Sequence, residues 1–368
     1  MAEWQGIVVA TAKEYLKGAA DNTLRDHPLL ALLQKYGRIK TNQKGIDRTW
    51  NVQFAEHAFN DYGDMAALNF ARTDLYKQAN FDVRMYVATD AVSYKEAEMC
   101  DGPVAIVNRF KETIPKLIKS ATNRLPRELF VDGYAAGNGN RLCGLESAFG
   151  LAAGGTVAGD WIAKNDDTYM GLSTAVGAEG GSWDANLATA LRPNASIAKD
   201  WPYGKGDPEF HYWTPRVINY TSTAWTGSAG TWATTGRDAV RRGLSTATHG
   251  GGKASKPGIV LLATDLIDDF KKQNDGKIQI NTPSKEMEDL GFPDAMTFEG
   301  ASLMADCDVP AGSGYALNVN EMELLITTDD LFFTKGPTLD DLVYKFICGL
   351  IGNMRFNPKY QAKFAAVA

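Results

Sequence analysis

The sequence predicts an α+β fold, because helical and strand patterns mix along the chain without a regular βαβ repeat. Two alternating segments near the N-terminus predict strands, and a long amphipathic segment after them predicts a helix. A continuous apolar run at residues 258–264 predicts a buried strand further on. With 368 residues, 44% of them hydrophobic, the chain is long enough to form two or three lobes.

The first forty or so residues predict an arm that contains a short helix. Leu29, Leu30, Leu32 and Leu33 form a brief apolar cluster directly after Pro28. No basic region followed by an apolar one marks a secretory signal at the start of the chain. The longest apolar runs fall far short of the roughly 20 residues that a membrane-spanning helix needs. We therefore expect a chain that is soluble and intracellular where it is made.

An extended β-hairpin is predicted from about residue 41 to residue 90. Strict alternation at residues 48–54 and again at 81–87 predicts two half-buried strands. An isolated two-stranded ribbon is marginal in water, and no nearby segment offers an obvious cover for its apolar face. The hairpin is therefore expected to need a neighbouring subunit. The apolar residues predicted to contact that subunit are Trp50, Phe54, Phe81 and Val83.

A long helix is predicted over residues 100–131, where apolar residues recur at spacings of three and four. Pro115 and Pro126 lie inside this pattern, so a bend near the first and a break near the second are expected. Charged residues of the hairpin and the helix are expected to form ion pairs between subunits. They are Arg48, Glu56, Arg84, Lys111 and Glu112.

Residues 137–258 differ in composition, with many glycines, alanines, threonines and tryptophans. The tryptophans have no fixed period, and we interpret them as packing anchors. Helices are predicted at 237–246 and 265–273, and later strands at 315–319, 322–327 and 344–348.

Composition argues against several classes of function. The formal net charge of −6 argues against a nucleic-acid reader, which normally carries a basic face. The four cysteines are scattered without the short spacings of a zinc site or a disulfide framework. The loop at 248–254 lacks both the first glycine and the final serine or threonine of a phosphate-binding loop. No catalytic, cofactor or metal constellation stands out, so no enzyme activity is expected.

The order of an arm, a hairpin and a long helix resembles the major capsid proteins of tailed double-stranded DNA bacteriophages, which adopt the Hong Kong 97-type fold. The segments that carry this resemblance are 129–133 at the end of the helix, 142–147, 213–220, 298–301, 305–310, 315–318 and 352–361.

The resemblance implies a division of the chain into an N-terminal arm, an extended loop, a peripheral domain with a spine helix, an axial domain with a Gly/Trp-rich insertion, and a return to the peripheral domain. The corresponding residues are 1–40, 41–90, 91–136, 137–321 and 322–368. It also implies a structural protein whose pentamers and hexamers form an icosahedral head around packaged double-stranded DNA. The implied partners are a portal protein and a separate scaffolding protein. A decoration protein is left open, and no membrane is involved.

The resemblance further implies a place in the virion, with assembly in the host cytoplasm. Two other functions stay open. An encapsulin compartment would share the fold but enclose cargo proteins, and a glycan-acting enzyme could use the tryptophans as sugar platforms. Some relatives weld their subunits through lysine–asparagine bonds. Lys44, Lys77, Asn353 and Asn357 are the right residue types, but no glutamate is marked as their catalyst.

Overall fold

The computed structural model describes residues 27–43, 48–53, 63–64, 76–99, 103–149, 156–157, 161–163, 168–174, 213, 215–221, 230–248, 255–274, 287 and 295–366. The helices are α1 (Pro28–Lys35), α2 (Tyr94–Glu98), α3 (Pro103–Glu128), α4 (Glu146–Phe149), α5 (Trp232–Thr248) and α6 (Thr264–Asn274). None of these helices combines the length and the hydrophobicity needed to cross a bilayer.

The strands form two large sheets and two small ribbons. In chain order they are β1 (Ile39–Lys40), β2 (Arg48–Gln53), β3 (Tyr76–Phe81), β4 (Arg84–Ser93), β5 (Thr156–Val157), β6 (Trp161–Ala163), β7 (Thr168–Tyr169), β8 (Leu172–Ser173), β9 (Arg216–Asn219), β10 (Ile259–Leu262), β11 (Met296–Phe298), β12 (Ala301–Ala305), β13 (Gly314–Leu317), β14 (Met322–Ile326), β15 (Phe333–Asp340), β16 (Val343–Phe356) and β17 (Ala362–Ala365).

The first sheet is built around β16, which pairs antiparallel with β14 and β15 along one edge and with β4 along the other. Strand β1 adds to β14 in parallel. Helix α3 packs across this sheet, where Ile114 and Ile118 meet Phe346 and Cys348 in a buried cluster. The helix includes Pro126 and ends two residues later at Glu128, close to the position predicted for a break.

The second sheet has the strand order β11-β12-β10-β13-β17-β9-β6-β5. Helices α5 and α6 cover part of it, and Gly243 lets α5 come close, since a Cβ there would lie 2.5 Å from the Phe364 ring. Trp232 of α5 is buried and donates its indole N–H to the Leu266 carbonyl at 2.7 Å. Trp213 is buried as well, so both act as the predicted packing anchors.

Several predicted elements are confirmed with shifted ends. The apolar run at 258–264 contains β10. The predicted helix at 237–246 lies within α5, and the one at 265–273 lies within α6. The strand predicted at 344–348 is much longer, because β16 continues to Phe356.

The predicted pairing of the hairpin is wrong. Strand β2 pairs with β3, with Arg48 opposite Phe81, and the chain then leaves the ribbon. From Arg84 onward it belongs to β4 in the first sheet. Within this segment Met85 and Val87 are exposed on one face, whereas Tyr86 between them turns inward on the other.

Candidate assembly surface

The β2–β3 ribbon is attached to the body of its own subunit through Trp50. The Trp50 ring centroid lies 6.0 Å from that of Trp213, and the Arg355 guanidinium lies 5.1 Å from the Trp50 centroid. Val52 and Ala79 are buried beside it. Aromatic pairs and cation–π contacts each contribute about 0.5 to 1.5 kcal/mol at such sites. The inner face of the ribbon is therefore covered by its own chain.

An ion cluster beneath Trp50 joins three strands of the first sheet. Glu323 of β14 accepts hydrogen bonds from Lys40 Nζ at 2.5 Å and from Arg355 Nε at 2.9 Å. Burial by itself would raise the pKa of Glu323, but the hydrogen bonds and charges of Lys40 and Arg355 hold it below its usual value. The ionised carboxylate thereby holds the Arg355 guanidinium over the Trp50 ring.

A second cluster fastens β4 to the end of helix α3. The Glu128 side chain is only 1% exposed and accepts from Arg124 Nε at 2.7 Å and from Arg141 at 2.8 and 3.0 Å. The Tyr86 hydroxyl donates to the same carboxylate and accepts the Leu142 N–H at 2.9 Å. Burial acts to raise the pKa of Glu128, but the hydrogen bonds from Arg141 and Tyr86 and the two arginine charges lower it overall. The cluster joins strand, helix and the following loop.

A third cluster joins the start of α1 to the end of α3. His27 Nδ1 lies 2.7 Å from Asp308 Oδ2, and Arg127 Nε lies 3.4 Å from Asp308 Oδ1. Burial raises the pKa of the neighbouring Asp306 to about 6. Among the described residues, one group of side chains has atoms that could bind a metal ion within 4.8 Å of one another. Its members are Asp306, Cys307 and Asp308. Because Asp308 is already engaged by His27 and Arg127, we assign no metal to it.

One face of the first sheet carries apolar side chains that the subunit leaves exposed. Opposed residues of an antiparallel pair point to the same side of a sheet. Met85 of β4 is paired with Ile351 of β16. Gly349 of β16 is paired with Val87 of β4 on one edge and with Phe333 of β15 on the other. Met85 is 53% exposed and Val87 is 43% exposed. We call Met85, Val87, Phe333 and Ile351 the outer strip. Contiguous exposed apolar side chains commonly mark protein interaction sites.

The residues predicted to contact a neighbour differ in where they lie. Trp50 and Val83 are half-buried against the core of their own chain. The Arg84 guanidinium lies 3.4 Å from Asp82, and its Nε is buried without a hydrogen-bond partner among the described residues. Phe54 and Glu56 lie outside the described residues, as do the side chains of Arg48, Phe81, Lys111 and Glu112. Contacts of these nine residues with another subunit stay predictions.

Asn353, one of the residue types that could form a covalent link, is used within the fold. Its Oδ1 accepts the Cys143 N–H at 2.8 Å, and its Nδ2 donates to the Asp82 carbonyl at 2.9 Å. Asn357 accepts the Lys359 N–H at 3.1 Å and so caps a short 3₁₀ turn. Lys44 lies outside the described residues.

Sequence reasoning missed the three ion clusters and the outer strip. Arg124 and Glu128 lie four residues apart on one helix face, and that spacing could have suggested their pairing. The other partners are distant in sequence, and no local pattern brings Tyr86 to Glu128 or Lys40 to Glu323.

No protein-family model and no curated protein matches this chain. The chain is similar in structure to a chain of the cyanophage A-1(L) capsid asymmetric unit, with 15% identity and a TM-score of 0.56, over 94% of this chain and 93% of that one. The capsid of Myoviridae phage XM1 has 12% identity, covers 91% of this chain and 92% of its own, and gives a TM-score of 0.49. The SrpI encapsulin of Synechococcus elongatus has 10% identity, covers 91% and 86%, and gives 0.44.

The cyanophage match covers nearly the whole of both chains, so the order of elements is shared throughout and not in one sheet alone. The chain therefore has a phage-capsid fold of mixed helix and sheet. In particular, this is the Hong Kong 97-like fold of tailed-phage capsid proteins.

Proposed function

We propose that this chain is the major capsid protein of a tailed bacteriophage. Its copies form pentamers and hexamers, and these close an icosahedral head around packaged double-stranded DNA. The observation that carries the proposal is the fold itself, matched over 94% of the chain to a phage capsid structure. The role is structural and not enzymatic.

The outer strip supports assembly from identical subunits. A lone subunit leaves about half of the Met85 and Val87 side chains in water, so covering each of them stabilises a contact by about 1 kcal/mol, roughly half of the value for full burial. In a shell of identical subunits, a second copy of the chain is available at every position to cover the outer strip. In this proposal the strip and the hairpin residues Phe54 and Phe81 lie against neighbouring subunits.

The net charge of −6 agrees with a shell that encloses DNA without reading it, because like charge keeps phosphate from adhering to the wall. The remaining parts of the proposal are a portal protein and a separate scaffolding protein as partners, assembly in the host cytoplasm and residence in the virion, while a decoration protein stays open.

Electron microscopy of the purified protein tests the proposal. The parent chain is expected to form closed shells or capsomers, and the double substitution Met85→Lys with Val87→Lys is expected to leave folded, unassembled subunits. Ala233→Lys with Ser245→Lys adds the same charge to exposed positions of α5 and is the matched control.

Three results would count against the proposal. The parent chain could remain monomeric at high concentration together with its scaffold. The Met85→Lys, Val87→Lys variant could assemble as well as the control. Native shells that hold a cargo protein and no DNA would favour an encapsulin-type compartment instead.

A further inference from the structure

A cavity of about 280 Å³ lies between helix α3 and the first sheet. It forms because small residues face one another there. They are Ser120 and Ala121 on the helix and Ala88 and Gly349 on the strands. The remaining wall is mostly apolar, and Arg124, which is 59% exposed, marks the mouth. Protein interiors contain few voids larger than a water molecule, so a cavity of this size needs an explanation.

The polar groups of the wall are already engaged, so the interior of the cavity suits an apolar ligand. The Ser120 hydroxyl donates to the Lys116 carbonyl at 2.9 Å, and the Tyr86 hydroxyl donates to Glu128. A bound water needs two to four polar partners, which this wall does not offer. A cavity of about 150 Å³ holds benzene, so this one has room for up to about ten carbon atoms.

The mouth of the cavity carries more positive charge than its own carboxylate balances. Glu128 accepts from Arg124 Nε at 2.7 Å and from two nitrogens of Arg141 at 2.8 and 3.0 Å. Together with the Tyr86 hydroxyl, these donors fill the four acceptor positions of the carboxylate. Burial and the bond to Glu128 raise the pKa of Tyr86 to about 12, so this phenol adds no negative charge at neutral pH. The terminal nitrogens of Arg124 can therefore take a further acceptor from solvent.

We propose that this cavity binds a small apolar carboxylate of about eight to ten carbon atoms. The hydrocarbon part lies between α3 and the sheet, and the carboxylate pairs with the guanidinium of Arg124 at the mouth. Because Arg124 is largely exposed, this ion pair is expected to increase the affinity only about fivefold, and burial of the hydrocarbon supplies the remainder. The proposal concerns a single subunit and does not depend on shell formation.

Isothermal titration calorimetry of the full chain with octanoate tests the proposal. Octanoate is expected to bind at one site per chain, about fivefold more tightly than 1-octanol, which has the same carbon chain without the charge. Butanoate is expected to bind about a hundredfold more weakly than octanoate, because it buries four fewer methylene groups.

Two pairs of variants locate the site. Ala121→Phe fills the cavity and should abolish octanoate binding, whereas Ala135→Phe, at an exposed position, should not. Arg124→Gln should weaken octanoate binding about fivefold and leave octanol binding unchanged. Lys119→Gln removes one exposed positive charge from the same helix and should change neither.

A second measurement in the parent chain keeps the proposal testable if Ala121→Phe fails to fold. Cys348 lines the cavity, and burial raises the pKa of its thiol to about 11, so its labelling by N-ethylmaleimide should be slow. A half-saturating concentration of octanoate should halve that rate, as followed by peptide mass spectrometry. The absence of saturable octanoate binding, equal binding by the two phenylalanine variants, equal affinities for octanoate and octanol, or unchanged labelling of Cys348 would each overturn the proposal.

Discussion

Replacing Glu128 by glutamine should remove much of the strength of the cluster that ties β4 to α3. Arg124 and Arg141 would lose ion pairs, but both are substantially exposed, so each loss is worth about 0 to 1 kcal/mol. Tyr86 would donate to a neutral oxygen instead of a carboxylate, which costs about 1 kcal/mol. We therefore expect Glu128→Gln to lower the free energy of unfolding at pH 7 by about 2 kcal/mol.

The effect should depend on pH in a defined direction. Because the pKa of Glu128 is below its ordinary value of 4.5 in the folded chain, its stabilisation is present above that pH and is lost as pH falls through the lower folded value. The parent and the Glu128→Gln variant should therefore converge in acid.

Urea unfolding followed by fluorescence from pH 7 downward would measure this convergence. The assembly-blocked background Met85→Lys with Val87→Lys keeps the protein in the subunit form. Asp329→Asn, at an exposed turn, is the control. A Glu128→Gln variant that unfolds like the parent at pH 7, or a difference that persists in acid, would refute the reasoning.

Three further substitutions have defined outcomes. Asp306→Asn should raise the free energy of unfolding by up to about 3 kcal/mol at pH 8 but not at pH 3.5. The folded pKa of Asp306 is about 6, above its ordinary 3.8, so the parent chain loses stability as pH rises from 3.8 to 6. Equal urea midpoints of parent and variant at pH 8 would contradict this. Gly349→Ala places a Cβ 2.4 Å from the Tyr86 carbonyl oxygen and should lower Tm by several degrees, whereas Gly139→Ala, with open space around it, should not. Trp50→Ala should cost about 2 kcal/mol and Trp50→Phe less than half of that in urea unfolding; equal costs would argue against ring packing as the cause.

Local periodicity allowed much of the fold to be predicted. Strand β10 and helix α6 are visible in the sequence because their apolar residues lie on a continuous run or on one helical face. The resemblance to capsid proteins rested on the order of such elements, and the structural match agrees with it.

The pairing of the hairpin could not be predicted in the same way. Alternation continues from Phe81 to Val87 although the chain changes sheets at residues 82–83. The pattern also separates two faces without showing which one is buried. Tyr86 turns inward because its hydroxyl finds Glu128, a contact between residues 42 positions apart, and Met85 is left outside as a result.

The middle strands of both large sheets come from one late stretch of the chain. Strand β16 pairs with β4, β14 and β15, and β17 lies between β13 and β9. During synthesis, therefore, neither sheet can be completed until residues 343–365 have left the ribosome. Contacts between residues so distant in sequence also form slowly. Products truncated before this stretch would lack β16 and β17, so neither large sheet could form its observed strand order.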